Sequence, residues 1–318
     1  MSLFRKGEGD RLFYGTTGAF ALFLVVLVGA IAVVLWMESR ESIQKFGLAF
    51  WESSTWDPVM GEFGAAPFIW GTLYSAILAL LIATPVALGI AIFLTELCPH
   101  WLKAPLVFLT ELLASIPSIV YGLWGIFVLV PAVRSLQLSL PDWVRSIPLF
   151  SGPPVGVSMF TAAVVLAIMV VPYTSSVARE VLKAVPNAQR EGAYALGSTR
   201  WEATLVALHY ARTGIIGAIM LGFGRALGET MAVTMVIGNS PQISTSLYAP
   251  QYTMAAVLAN EFAEASGDLY LHALVEIGLV LFVITLIINV ISRMFIWSMG
   301  DRKLPRLLPR LSARKAAA

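Results

Sequence analysis

Residues 68–97 read FIWGTLYSAILALLIATPVALGIAIFLTEL, a run of 30 residues with one charged side chain, Glu96. A hydrocarbon core about 30 Å thick needs roughly 20 apolar residues in a crossing helix, so this run predicts a membrane span. Five further runs reach a similar length. The sequence therefore predicts an all-α membrane protein with six transmembrane helices, at about residues 12–37, 68–97, 106–131, 157–177, 213–238 and 269–297.

The composition of the chain indicates the same class. Of its 318 residues, 58% are hydrophobic and 13% are charged, and the mean hydropathy is +0.80, whereas a soluble domain is about 25% charged. This excludes a disordered chain and a nucleic-acid-binding domain, and it argues against a soluble enzyme. The one cysteine, Cys98, excludes an intrachain disulfide framework, and the three histidines are too far apart to suggest a metal site. We expect no catalytic residue, metal or cofactor in this chain.

The distribution of basic residues predicts the orientation of the helices. With the N-terminus inside, sixteen of the 21 Lys and Arg residues fall on inner segments and four on outer segments. Cytoplasmic loops carry such an excess, so both termini are predicted to be cytoplasmic. Three of the middle spans contain a proline that is expected to kink its helix: Pro85, Pro117 and Pro172. We divide the chain into a stub with the first helix and outer loop (1–67), a core of five helices (68–297) and a basic tail (298–318).

A cytoplasmic stretch between the fourth and fifth spans, residues 178–212, breaks the apolar pattern. After Pro186 it contains a helical segment at about 188–196 that ends at Gly197, a residue type that often follows a helix, and a second helical segment from about residue 200. A short helix exposed between two spans suggests a protein partner; a solvated amphipathic loop is the alternative. The chain has no GxxxxGK[ST] loop, so another polypeptide must hydrolyse ATP if ATP drives transport.

Four ionisable residues fall inside the predicted spans. Glu111 and Glu276 lie near span ends, where each could reach headgroups or a neighbouring side chain. Arg225 lies 12 and 13 residues from the two ends of its span, about 18–20 Å from either end, which is too far for its side chain to reach water. A charge at mid-helix costs from about 2.5 to more than 10 kcal/mol. Arg225 and Glu229, one turn further on, are therefore predicted to lie on a transport path; mutual neutralisation is the alternative.

One motif in the cytoplasmic stretch resembles that of a known family. The pattern Glu191-Gly192-Ala193-x-x-x-Gly197 resembles the EAA motif of permease subunits in ATP-binding-cassette importers. The resemblance implies a coupling helix that docks in a groove of a cytoplasmic ATPase. The Ile-x-Leu-Pro element that continues the family motif is lost in this sequence, which at those positions has Ala207, Leu208, His209 and Tyr210.

A second motif narrows the resemblance to one group of these importer permeases. The segment GFGRALGETMAV at residues 222–233 resembles the fifth-helix signature of the permeases of phosphate-specific importers. In that family the arginine and the glutamate are regarded as essential for transport, and these roles fall on Arg225 and Glu229. The likeness covers residues 42–297 and includes the segments SIQKFG (42–47), WD (56–57), LTEL (94–97), SIPSIVYG (115–122) and ANEFAE (259–264). It implies the type I importer permease fold in a bacterial or archaeal inner membrane.

The resemblance also implies partners. They are a PstA-like second permease, a PstB-like ATPase dimer that binds ATP and Mg²⁺, and a PstS-like external phosphate-binding protein, with membrane lipid around the helices. The four charges within the predicted spans sum to −2, which would repel an anion, so we expect the second permease to supply cations at a shared interface. Two other functions stay open: a permease for another oxyanion such as molybdate or sulfate, or an ATPase-independent secondary carrier.

Overall fold

The structure is a computed structural model that describes residues 8–300 of the chain. In this range the chain is helical, with two isolated β-bridges and no strand. The helices are α1 (Glu8–Glu38), α2 (Arg40–Phe46), α3 (Ala49–Glu52), α4 (Ala66–Ile92), α5 (His100–Ser115), α6 (Ser118–Trp124), α7 (Val130–Ser139), α8 (Asp142–Arg145), α9 (Met159–Lys183), α10 (Asn187–Ala195), α11 (Arg200–Leu227), α12 (Met231–Thr234), α13 (Met254–Glu261) and α14 (Asp268–Gly300). A π-helical turn, Phe93–Leu97, extends α4, and another, Gly125–Leu129, joins α6 to α7.

Six helical stretches are long and apolar enough to cross a membrane: Asp10–Glu38, Ala66–Leu97, Ser118–Ser139, Met159–Lys183, Arg200–Leu227 and Asp268–Ser298. The prediction of an all-α protein with six transmembrane helices is confirmed. The division of the chain at residues 67 and 297 stays a prediction. The basic tail beyond residue 300 lies outside the described residues.

The third crossing begins later than the apolar pattern predicts. Residues 106–131 were expected to form one kinked helix, but α5 ends at Ser115 and the crossing stretch is Ser118–Ser139. Pro117 lies between them and disfavours a helical conformation at the residue before it; Ile116 is accordingly extended, with φ −64° and ψ 130°. Pro85 and Pro172, by contrast, lie inside continuous helices.

α9 is the central helix of the bundle and packs against α4, α11 and α5. α4 carries a buried stripe of alanines spaced three or four residues apart: Ala76, Ala79, Ala83, Ala87 and Ala91. Small residues let helix backbones approach closely in a membrane, where lipid is as apolar as the side chains. A glycine has the same role between α11 and α9, because a Cβ on Gly222 would collide with Oγ1 of Thr174. Small residues therefore allow α4 and α11 to pack closely against α9.

α1 lies at the edge of the bundle, where it packs against α14 and α2. Most of its large apolar side chains are exposed, including Phe20, Phe23 and Trp36. An apolar surface of this extent faces lipid or another subunit in a membrane protein. The first helix therefore adds little to the core of this chain.

The two ends of the bundle differ in character. We call the end that carries α10 and the adjoining ends of α4, α9 and α11 the loop side, and the end that carries α2, α3 and α13 the far side. On the far side a buried aromatic cluster closes the bundle: Phe50, Phe63, Phe68 and Tyr252, packed against Trp56. Glu261 accepts a 2.8 Å hydrogen bond from Trp56 Nε1 at this cluster. The residues predicted to act in transport and coupling lie elsewhere in the bundle, at mid-depth and on the loop side.

Candidate functional site

Arg225 lies at mid-depth in the bundle, in the last turn of α11. Its guanidinium Cζ is 5.5 Å from the ring centroid of Tyr173. Tyr173 is close to the middle of α9, 14 residues from the start of that helix and 10 from its end. α11 therefore starts on the loop side and stops about half-way through the bundle.

This helix end corrects the predicted fifth span. One helix was expected over residues 213–238, but α11 stops at Leu227, and residues 228–237 complete the crossing as irregular chain that includes the short α12. The far end of this segment is held by a 3.0 Å hydrogen bond from the Ser158 N–H to the Val236 carbonyl. Since Ser158 caps the start of α9, the irregular segment runs from mid-depth to the far side.

Local sequence and packing both explain why the helix stops. Gly222, Gly224 and Gly228 each favour the helix less than alanine would, by about 1 kcal/mol. Beyond the helix, α12 lies so close to α6 that a Cβ on Gly122 would be 2.6 Å from Sδ of Met235. A continued straight helix would not make this contact. Hydropathy alone does not detect the break, because the irregular segment is as apolar as a helix.

The predicted placement of Glu229 one turn along the same helix face is wrong, because Glu229 lies beyond the end of α11. Its Oε1 instead accepts a 3.5 Å hydrogen bond from the Ala232 N–H, at the start of α12. Among residues 10–298 no ion pair joins Glu229 to Arg225. Mutual neutralisation, the alternative to a functional site, therefore has no support in the geometry.

The charge of Arg225 is not neutralised by a carboxylate within the described part of the chain. Its Nε is buried without a hydrogen-bond partner there. The Tyr173 ring contributes a cation–π contact of about 0.5–2 kcal/mol, and the negative end of the α11 dipole also favours a cation in the last turn. Irregular backbone at membrane depth is tolerated where it is buried in protein or lines a watery cavity. The Arg225 guanidinium can thus donate N–H groups to an anion.

Glu111 is paired, which the sequence did not reveal. Its Oε1 accepts a 3.0 Å hydrogen bond from Nη2 of Arg179, and the same nitrogen is 2.9 Å from Oε1 of Glu180. Arg179 is only 3% exposed, although its position near the end of the fourth span predicts a cytoplasmic residue. This ion pair joins α5 to α9 and removes the charge of Glu111 from the balance around Arg225.

Glu276 is buried on α14, toward the far side. Its Oε2 has no hydrogen-bond partner among the described residues, and the side chain lines a cavity of about 280 Å³ with Trp36 and Trp51. No ion pair joins it to Arg225 among residues 10–298. Over the same range, no group of three His, Cys, Asp or Glu side chains is arranged to hold a metal ion.

The loop side carries the predicted helix–glycine–helix. α10 begins after Pro186 and ends at Ala195, and Gly197 follows with φ +85°. Thr199 and Glu202 then form a reciprocal capping box at the start of α11. Positive φ is strained for any residue with a Cβ, so glycine is needed at position 197 to turn the chain between the two helices.

The motif residues of this loop differ in exposure. Glu191 and Gly192 are exposed, and a Cβ on Gly192 would meet nothing within 4 Å. Ala193 is 8% exposed and faces the bundle. Leu196 is 89% exposed and Trp201 is 59% exposed. Exposed apolar side chains on a polar surface typically mark a protein interface, so the loop side offers such a surface around α10.

A residue that the sequence did not single out fixes α10 to the bundle. Nε and Nη2 of Arg190 lie 2.7–3.2 Å from the carboxylate oxygens of Glu96, in the π-helical turn after α4. The same guanidinium donates 3.0 Å hydrogen bonds to the carbonyls of Leu182 and Val185, at the end of α9. The Arg190 and Glu96 side chains are only 16% and 12% exposed. We call this contact the Arg190–Glu96 clamp; it connects α10 to the loop-side ends of two membrane helices.

Comparison with known proteins identifies similar sequences over most of the chain. Residues 87–299 match the profile of the family described as binding-protein-dependent transport system inner membrane component. The phosphate transport system permease protein PstC of Mesorhizobium japonicum is 48% identical over 299 residues, which cover 92% of this chain and 91% of that protein. PstC of Haemophilus influenzae is 49% identical, covering 92% and 95%. The probable PstC of Methanocaldococcus jannaschii is 39% identical, covering 86% and 89%.

Solved structures share the fold. A chain of the MetNI methionine ABC transporter, in an inward-facing crystal form, superposes with a TM-score of 0.57 over 77% of this chain and 99% of that chain. A second inward-facing crystal form gives a TM-score of 0.54 over 73% and 94%. The sequence identity is 14% in both cases, so the likeness shows the fold alone. The prediction of the type I importer permease fold is confirmed.

Proposed function

The chain belongs to the family of binding-protein-dependent transport system inner membrane components and, within it, to the PstC phosphate transport permeases, and from this premise we propose that it is the membrane subunit of an ATP-driven importer of inorganic phosphate. It forms part of the translocation path and performs no covalent chemistry. ATP and Mg²⁺ bind to a partner ATPase. The loop side and both termini are cytoplasmic in this proposal, as the excess of basic residues predicts.

The observation that carries the proposal is the guanidinium of Arg225 at mid-depth, which no carboxylate neutralises in the described chain. Arginine presents donors in a planar fork that matches the geometry of a phosphate oxyanion. A single such contact suits a transport path, because a site with many fixed donors would hold the anion and slow its release. The irregular backbone after Leu227 supports a polar lining at the same depth.

We place the path at an interface with a PstA-like second permease. Arg225 is only half-buried, and Leu221, one turn earlier on the same face of α11, is exposed. This face is therefore open to a partner. With Glu111 paired to Arg179, the charges left are those of Arg225, Glu229 and Glu276, and a phosphate path needs further cations. In this proposal the second permease supplies them opposite Arg225.

Coupling to ATP is assigned to the loop side. α10, with Glu191 and Gly192 exposed and Leu196 projecting beyond its end, docks on a PstB-like ATPase dimer, and the far side receives a PstS-like phosphate-binding protein. Closure of the ATPases moves α10, and the Arg190–Glu96 clamp passes this movement to α4 and α9. The bundle then switches between outward and inward access.

Phosphate uptake by starved cells tests the substrate. We expect deletion of the chain to abolish high-affinity uptake of labelled phosphate, and we expect excess sulfate or molybdate to leave wild-type uptake unchanged. Uptake that either competitor suppresses would favour a permease for another oxyanion. Unchanged phosphate uptake after deletion, together with lost uptake of labelled molybdate or sulfate, would overturn the proposed substrate.

Crosslinking tests the ATPase partner. The buried Ala193 is a poor site for a thiol probe, whereas Leu196 is 89% exposed. In a Cys98→Ser background, Leu196→Cys is expected to crosslink to the ATPase with a short bifunctional reagent. Leu48→Cys is the matched control, because Leu48 is 87% exposed but lies on the far side. Transport without any ATPase product from Leu196→Cys would favour a secondary carrier.

The turn at Gly197 allows a test of the coupling geometry. Alanine at φ +85° costs about 1 kcal/mol, so in the free Gly197→Ala variant the turn relaxes away from this geometry. Restoring the geometry on docking is expected to weaken binding of the ATPase to the permease roughly fivefold. Gly29→Ala in α1 is the control, because a Cβ there meets nothing within 4 Å, the backbone is helical and the residue lies outside the docking surface. Equal ATPase affinity of the Gly197→Ala variant and the wild type would contradict a docking role for this turn.

A further inference from the structure

A cavity of about 350 Å³ lies between α11 and α14 on the loop-side half of the bundle. This volume is within the range of small-ligand sites, roughly 300–1,000 Å³. Ser292, Arg293 and Asn289 contribute polar atoms to it, and Leu221 and Ile296 contribute apolar walls. The cavity is distinct from the surroundings of Arg225, although Leu221 is one helical turn from that residue.

Within the described residues, the Ser292 hydroxyl and the Arg293 guanidinium are available to a ligand, whereas Asn289 Nδ2 donates a 2.9 Å hydrogen bond to the Thr285 carbonyl. Thr285 and Ser298, the other serine and threonine residues of α14, donate their hydroxyls to carbonyls of the same helix, at 2.9 and 3.0 Å. Ser292 makes no such hydrogen bond to a described residue, although it is only 7% exposed. No carboxylate in residues 10–298 lies within ion-pair distance of Arg293. A guanidinium and a free hydroxyl on adjacent residues are suited to an oxyanion.

The position of the cavity indicates the source of that oxyanion. Arg293 is 25 residues from Asp268, the first residue of α14, about 38 Å along the helix axis. A hydrocarbon core is about 30 Å thick, so Arg293 lies at the membrane interface on the loop side. Trp297 stands at the rim of the same cavity, and tryptophan is enriched at interfaces. Basic pockets between membrane helices at this level suit anionic lipid headgroups.

We propose that this cavity binds the phosphate group of an anionic phospholipid from the loop-side leaflet, through Arg293 and Ser292, with an acyl chain along Met220 and Ile296. Free inorganic phosphate carries the same oxyanion chemistry, and the experiment separates the two sources. The proposal does not rest on the transport function. It places a lipid against the helix that carries Arg225, so lipid composition would affect that helix directly.

Native mass spectrometry of the detergent-solubilised complex tests the site, with phosphatidylglycerol and phosphatidylcholine of identical acyl chains as probes. We expect one phosphatidylglycerol per chain to be retained about tenfold more strongly than phosphatidylcholine, and this preference to be lost in an Arg293→Gln, Ser292→Ala double variant. Arg212→Gln is the matched control, because it removes an equal charge from α11 but does not line the cavity. Its preference should equal that of the wild type.

Inorganic phosphate, added at millimolar concentration, distinguishes the sources. Retention of phosphatidylglycerol in its presence supports the lipid as the occupant. Displacement that requires Arg293 and Ser292 would overturn the lipid proposal in favour of free phosphate. Equal retention of the two lipids, or equal losses in the double variant and in Arg212→Gln, would overturn the proposal. Neither result depends on whether the chain transports phosphate.

Discussion

Replacement of Arg225 by glutamine is expected to lower phosphate uptake by about 10- to 100-fold without reducing the amount of assembled transporter. Glutamine keeps a polar side chain but removes the charge and the fork of donors. A hydrogen bond to a charged group contributes about 1.5–3 kcal/mol, and each 1.4 kcal/mol corresponds to a factor of about ten. The measurement is the initial rate of labelled phosphate uptake, normalised to the complex recovered by size-exclusion chromatography.

Three further variants sharpen this test. Arg225→Lys keeps the positive charge on one ammonium group but loses the planar fork of donors. Its uptake should therefore lie between those of the wild type and the glutamine variant. Glu229→Gln keeps an oxygen to accept the Ala232 N–H but removes a charge from the path, and we expect it also to lower uptake. Arg212→Gln, on the same helix but outside the site, should transport normally. Near-normal uptake by both the Arg225→Gln and the Glu229→Gln variants would contradict a path at these residues.

Loss of the Arg190–Glu96 clamp is expected to uncouple ATP hydrolysis from transport. In an Arg190→Gln variant, α10 loses its hydrogen bonds to Glu96 and to the carbonyls of Leu182 and Val185. Movement of α10 then no longer passes to α4 and α9, although the exposed docking surface is unchanged. We expect phosphate transported per ATP hydrolysed to fall at least tenfold in reconstituted vesicles, while the ATPase stays bound.

The ratio of transport to hydrolysis separates coupling from simple instability, because a poorly folded complex would lose both activities together. Lys183→Gln is the matched control: it breaks an exposed 2.9 Å pair with Glu180 on the same side of the bundle and should leave the ratio unchanged. Glu96→Gln keeps one acceptor oxygen and should give an intermediate ratio. A wild-type ratio in the Arg190→Gln variant would show that the clamp does not transmit movement.

Much of the fold follows from sequence patterns that depend on one segment at a time. The apolar runs predict six crossings, and six are found. Pro186 and Gly197 predict the limits of the loop-side helix because proline starts and glycine ends helices through local backbone preferences, and α10 lies between them at Asn187–Ala195. These features need no knowledge of neighbouring helices, so they can be predicted from one sequence.

The features that the sequence did not predict depend on contacts between distant segments. The end of α11 at Leu227 follows partly from the close approach of Gly122 to α12, about a hundred residues earlier in the chain. The Arg190–Glu96 clamp joins residues 94 positions apart, and burial of Arg179 requires Glu111 on α5. Hydropathy reports the average environment of a segment but not its partners. It therefore predicts neither the break in α11 nor the two ion pairs.

The most direct test of the central claim is ATP-dependent accumulation of labelled phosphate in vesicles that contain this chain, the second permease, the ATPase and the loaded phosphate-binding protein. We expect accumulation that requires ATP on the loop side, resists excess sulfate and molybdate, and falls at least tenfold with Arg225→Gln while the complex stays assembled. Accumulation without ATP, or equal accumulation by the Arg225→Gln variant, would contradict the proposal of an ATP-driven phosphate path at Arg225.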